Sequence, residues 1–104
     1  MGFVSVVNVS NPASPTIVGQ ISDATYLNGP WRMAKLGNYL FVTAVSEGRV
    51  TMVDVSNPAS PQIKASIAHP SGYLAMAHEI EIYGSKIYLA SRFTGNALTV
   101  IDII

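Results

Sequence analysis

His69, His78, Glu79 and Glu81 form the one grouping in this chain whose residue types could bind a metal or move a proton. Neutral imidazole and carboxylate are zinc ligands, and a catalytic zinc site takes three of them plus a water. The spacing falls short of that. His78-Glu79 does not continue to a second histidine at the helical i+4 position, which is Ile82. A strand would place His78 and Glu79 on opposite faces, and His69 lies nine residues away in a loop. His69, His78 and Glu79 are therefore weak metal candidates. A hydrogen-bonded structural role for the histidines is preferred, and no cofactor is expected. Ser71-Gly72 lacks the Gly-x-Ser-x-Gly elbow of a hydrolase nucleophile. A second set is Asp54 and Asp102, with Asn8 in the equivalent place, each inside an apolar stretch. A ring of such groups could bind a cation. The preferred reading is an acceptor for backbone N–H groups of the turn that follows, because one copy is Asn and the same turn comes after Asn8 and Asp54.

These residues belong to copies of one unit. Val-Ser-Asn-Pro-Ala-Ser-Pro occurs at 9–15 and again at 55–61, a spacing of 46. Periods of this size mark propellers, solenoids or arrays. Before each copy runs an apolar stretch, Val4–Val9 and Val50–Val55, and a third closes the chain at Leu98–Ile103. All three read aliphatic, hydroxyl, aliphatic or Met, aliphatic, Asn/Asp, aliphatic. A further segment, Gly37–Ala44, matches Gly84–Ser91. Short β-branched runs bounded by Gly, Pro, Asn and Ser are strands, and no window carries the 3.6-residue apolar period of a helix. Strands are expected at 3–9, 16–21, 31–36, 39–45, 49–55, 62–67, 78–83, 86–91 and 97–103. Tyr39–Val45 is apolar on both faces, as a strand stacked between sheets must be. Pro12, Pro15, Pro58 and Pro61 fix φ and end strands, while Gly37 and Gly84 read as hairpin turns needing positive φ.

Four strands in about 46 residues is the size of a propeller blade. The expected fold is all-β: two four-stranded antiparallel propeller blades, part of a larger or oligomeric propeller. Residues 10–55 form the first, 56–104 the second, and 1–9 an orphan strand of a preceding or swapped blade. The repeat starts and stops partway, so a piece of a longer propeller is expected, with a ring of several chains as the alternative. Composition agrees. The chain is 49% hydrophobic and 12% charged, against about 25% charged in an average domain, so much of its surface should face other protein. The expected partners are further blades or copies of the same chain. Formal net charge is zero with no basic run, which disfavours nucleic acid, and no apolar run approaches the length of a membrane span. There is no cysteine to make a disulfide or thiolate site. Asn8-Val9-Ser10 is formally a glycosylation sequon, expected in a buried strand and so accidental.

The apolar strand ending in Asp, the Val-Ser-Asn-Pro-Ala-x-Pro link and the Gly-Asn-Tyr hairpin resemble the LVIVD repeat. Val53–Pro61 and Gly37–Val42 carry the likeness best, and it covers nearly the whole chain. The resemblance implies a β-propeller, usually of an exported or cell-surface protein, and it supplies no catalytic motif. If successive strands are antiparallel, the Pro-rich links and Gly hairpins share one rim, and the divergent segments 22–30, 46–48, 68–77 and 92–96 share the other. Scaffolds place recognition on such variable loops. Tyr26, Trp31, Arg32, His69, Tyr73, His78 and Arg92 are the candidate ligand-binding residues there, for a protein or carbohydrate ligand. The expected function is a non-catalytic binding or scaffold segment. The alternative is a fragment of a propeller enzyme, hydrolytic or metal-dependent, with its site at the central channel.

Overall fold

The computed structural model describes residues 2–69, 72, 74, 77–91 and 97–103, with the backbone alone at 78. It contains nine strands and no helix among these residues: β1 (Val4–Asn8), β2 (Thr16–Ile21), β3 (Pro30–Leu36), β4 (Tyr39–Ala44), β5 (Arg49–Asp54), β6 (Gln62–Ala68), β7 (Ala77–Tyr83), β8 (Lys86–Ser91) and β9 (Leu98–Asp102). Each lies within a residue or so of the stretch expected from sequence. Every pairing is antiparallel between chain neighbours.

The grouping of strands differs from expectation. There is one four-stranded sheet, β3-β4-β5-β6, flanked by a two-stranded β1-β2 and a three-stranded β7-β8-β9. Two complete four-stranded sheets are not formed by the described residues. The reason lies in the connections. The Ser-Asn-Pro link is a closed pair of turns, so it keeps β5 and β6 side by side. The chain passes to the next sheet instead between β2 and β3 and between β6 and β7. Repeat 10–55 therefore draws β2 from one sheet and β3, β4 and β5 from another.

The sheets stack. One face of the central sheet presents Val42 and Val53, which pack with Val4 of β1 and with Leu27 from the 22–29 loop. The opposite face presents Phe41 and Val50, which pack with Leu74, Ala77, Ile80, Ile87 and Leu89 on the side of the three-stranded sheet. Strand β4 is buried on both faces from Phe41 through Ala44, as its continuous apolar run requires. Non-polar area removed from water on both sides of one strand makes this the most stabilised part of the chain.

The two Pro-rich links are built alike. The Asn8 and Asp54 side chains accept the N–H groups of Ser10 (2.9 Å) and Ser56 (2.8 Å). Asn11 and Asn57 accept from Ala13 and Ala59, both at 3.2 Å. The N–H groups of Ser14 and Ser60 close each link onto the carbonyls of Asn11 and Asn57. These are the Asx-type turns that the residue types favour. Gly37 and Gly84 sit in hairpin turns at φ 59° and 61°, a backbone region costly for other residues. The turns are tied to the strand beyond, Val55 N–H to Asn38 O and Ile103 N–H to Ser85 O.

Candidate functional site

Links and hairpin turns lie on one rim of the stacked sheets, and the 22–29 and 45–48 connections lie on the other, as the antiparallel order of the strands demands. The link rim uses its polar side chains internally. Asn8, Asn11, Asp54 and Asn57 each bond a backbone N–H two residues on. Asn8 and Asp54 thus serve as acceptors for the turn that follows each strand. The Ser56 N–H and then its hydroxyl hold the Asp54 carboxyl below its ordinary range. Asp102, the third copy, pairs with Lys86 Nζ at 3.0 Å. Asn8 is exposed at the end of β1, so the sequon there is not buried as the strand reading implied.

The loop rim is built from tethered loops. Asp23 opens the 22–29 loop by accepting the N–H groups of Thr25 and Tyr26, both at 2.8 Å. The Tyr26 bond and then the Thr25 bond keep its carboxyl low. Leu27 then drops fully into the core between Val42 and Val53. Asn28 and Gly29 lend their carbonyls to Ser46 and Val45, and the Asn28 amide donates to Glu47 Oε1 at 3.1 Å. The 22–29 and 45–48 connections are thus stitched into one surface.

Beneath that surface is a buried polar relay. Thr51, fully buried on β5, donates its hydroxyl to the Tyr26 carbonyl. Its Oγ lies 3.0 Å from the Ser66 hydroxyl, which also accepts from Arg49 at 3.0 Å. The Arg49 guanidinium lies over the Tyr26 ring, 5.0 Å from its centroid, a cation–π contact worth about 0.5–2 kcal/mol. Tyr26, chosen from sequence, is therefore held from below through Thr51 and from above through Arg49. Arg49 was not among the candidates read from sequence. The signal available was the hydroxyl position shared by Ser5, Thr51 and Thr99.

Trp31 and Arg32 stand at a break in the β3–β4 ladder, where the register shifts between Pro30 and Met33. Thr43, buried on β4, fills the break: its Oγ accepts from the Arg32 N–H at 2.9 Å and donates to the Arg32 carbonyl. At the bulge Trp31 has 56% of its surface exposed. A matching register shift between Ala77 and Glu79 on β7 means that strict alternation does not carry across His78. His69 is half-buried at the end of β6, where it lines a shallow groove with Leu74, Thr99 and Ile101. Its carbonyl accepts the Gly72 N–H. Tyr73, Arg92 and the His78 side chain lie outside the described residues. Glu79 is exposed on β7. Among the described residues no three His, Cys, Asp or Glu side chains converge as metal ligands, and no helix is long and apolar enough to cross a membrane.

Comparison with known proteins gives one result. The family model of the LVIVD repeat matches residues 2–23 and 31–68. Its two matches follow the observed sheets, β1-β2 and β3-β4-β5-β6, rather than the 46-residue unit read between identical strings. No curated protein and no solved structure matched. With more than half of its residues matched, the chain belongs to the LVIVD-repeat family.

Proposed function

We propose that this chain is a non-catalytic recognition module, a segment of a β-propeller that binds a protein partner through its loop rim. The observation that carries this reading is the contrast between the rims. On one, Asn8, Asn11, Asp54 and Asn57 are spent on turns; on the other, a buried relay positions Tyr26 and a bulge displays Trp31 beside Arg32. Trp, Tyr and Arg are the residue types that dominate protein interfaces. Tyr26 is fixed through its carbonyl and under Arg49, and the backbone beside Trp31 is fixed by Thr43, which lowers the ordering entropy that opposes binding. The family likeness further suggests an exported or cell-surface setting.

The test is selection of peptide ligands from a displayed library against the whole chain, with an array of glycans run in parallel. Selected peptides should lose at least tenfold in affinity on Trp31→Ala or Arg49→Ala and be unchanged by Ala13→Ser on the link rim. Glycan binding in place of peptide binding would replace the partner class proposed here. Ligands sensitive only to the link rim, or a substrate turnover abolished by Glu79→Gln, would overturn the reading.

A further inference from the structure

A different surface, away from the loop rim, follows from comparing the three copies of one strand. β1 and β5 each carry a partner on their outer edge, and the pairing is the same in both. Ser5 faces Gln20 as Thr51 faces Ser66, with a register shift between Val6 and Val7 in one ladder and between Met52 and Val53 in the other. The facing side chains bond in both, Gln20 to Ser5 at 3.0 Å and Thr51 to Ser66 at 3.0 Å. β9 is the third copy. Its inner edge pairs with β8, and no described strand covers its outer edge. Leu98 is 72% exposed there, whereas Val50, its counterpart on β5, is 3% exposed.

Beside that bare edge an apolar groove of about 250 Å³ runs between β6 and β9, lined by Met52, Ala65, Ile67, Ile87, Ile101 and Ile103. In the equivalent space between β2 and the central sheet stand the buried Pro61 and half-buried Ile63. Their counterparts one repeat earlier are Pro15 and Ile17, both exposed, Ile17 by 65%. The chain thus displays an unfilled seat at one end and an unseated copy of its occupant at the other.

We propose that β2 and the Pro15 end of its link dock, in a second copy of this chain, on the outer edge of β9 and in the groove beside it. β9 of one molecule replaces β1 of the next as the partner of β2, the two strands being copies of each other. Thr99 then faces Gln20 of the neighbour, Ile101 faces its Ile17, and Pro15 enters the groove. The exposed Met33 on the neighbour's central sheet comes under the incoming β7 and β8, as its counterpart Ile80 is covered here. Ala65 stands where Gly19 stands in the filled seat, so the docked link rides one methyl group further out. Such an exchange conserves the ladder and adds the contacts of the groove, the usual logic of strand swapping. The contact is head-to-tail, so it makes a ring where the rotation between copies closes and an open filament where it does not; a discrete mass distinguishes the two. With two blades per chain, two to four copies would make a ring within the usual range of about four to eight blades.

The full 104-residue chain tests this directly. Its mass by light scattering should be a discrete two- to fourfold multiple of 11.1 kDa, and Leu98→Lys, a change at an exposed site, should return it to the single-chain mass with its circular dichroism unchanged. Gln20→Cys with Thr99→Cys should give chain-to-chain disulfides on a non-reducing gel, since the two positions are on different sheets within one molecule. Ser5→Cys with Gln20→Cys reports the unexchanged strand. A monodisperse 11.1 kDa species in which the Ser5–Gln20 pair closes within the chain and the Gln20–Thr99 pair does not cross-link would overturn the proposal, whether or not the loop rim binds a ligand.

Discussion

Replacing Gly19 by alanine probes how the second Pro-rich link seats on β2. A methyl group at Gly19 would intrude on the Pro58 carbonyl oxygen and come within 3.2 Å of both Pro58 C and Pro61 Cδ. All three belong to a link held by Pro58, Pro61 and two internal hydrogen bonds, so neither side can yield cheaply. Overpacking of this kind costs about 1–3 kcal/mol. Loss of glycine freedom in the unfolded chain offsets about 0.4–1 kcal/mol of that. The close approach to backbone atoms puts the cost at the upper end, a net loss of about 2 kcal/mol, which for a chain of this size lowers Tm by roughly 8–12 °C. The equivalent residue, Ala65, faces the open groove, so Ala65→Gly should cost only about 0.5–1 kcal/mol, the backbone-freedom term alone. Urea unfolding at low protein concentration, followed by circular dichroism, measures both. A Gly19→Ala chain as stable as the parent, or more so, would refute the seating of link on strand.

Thr51→Val keeps shape but removes the hydroxyl that serves the Tyr26 carbonyl and the Ser66 hydroxyl. Leaving buried polar atoms unpaired should cost about 1–3 kcal/mol, and the 22–29 amides should exchange faster with deuterium; unchanged stability would contradict the relay. Asp54 tests the turn. Its folded pKa is depressed by the Ser56 backbone and hydroxyl bonds, so its contribution is present above the ordinary carboxylate value and is lost as pH falls through the folded one. Asp54→Asn should retain the turn, as Asn8 does, and show a shallower loss of stability between pH 5 and pH 2 on urea titration. An acid limb as steep as the parent's would count against it.

Much of the architecture was legible because strands advertise themselves locally. Val50-Thr51-Met52-Val53 and Leu40-Phe41-Val42 are β-branched or aromatic runs closed by turn residues, and all nine strands follow from such runs. The sheet boundaries were not legible. Identical strings mark the period of a repeat but not its phase, and the period was cut at the Pro-rich link, which joins two strands of one sheet. The roles of Asn8 and Asp54 could be read because each precedes the same turn. Tyr26–Arg49 could not be, since Tyr26 lies in a loop and Arg49 opens β5, and the two meet only when Leu27 and Thr51 anchor the loop. The exposure of Trp31 depends on a bulge filled by Thr43, a residue whose neighbours in sequence give no hint of that task.

Amide hydrogen exchange over the whole chain tests most directly the claim that one repeat-built sheet is sandwiched between two others. The amides of β4 and β5, enclosed on both faces and paired on both edges, should exchange slowest, at a rate set by global unfolding. Those of β1 should exchange faster through local opening. Protection of β4 and β5 no greater than that of β1 would contradict the stacked arrangement.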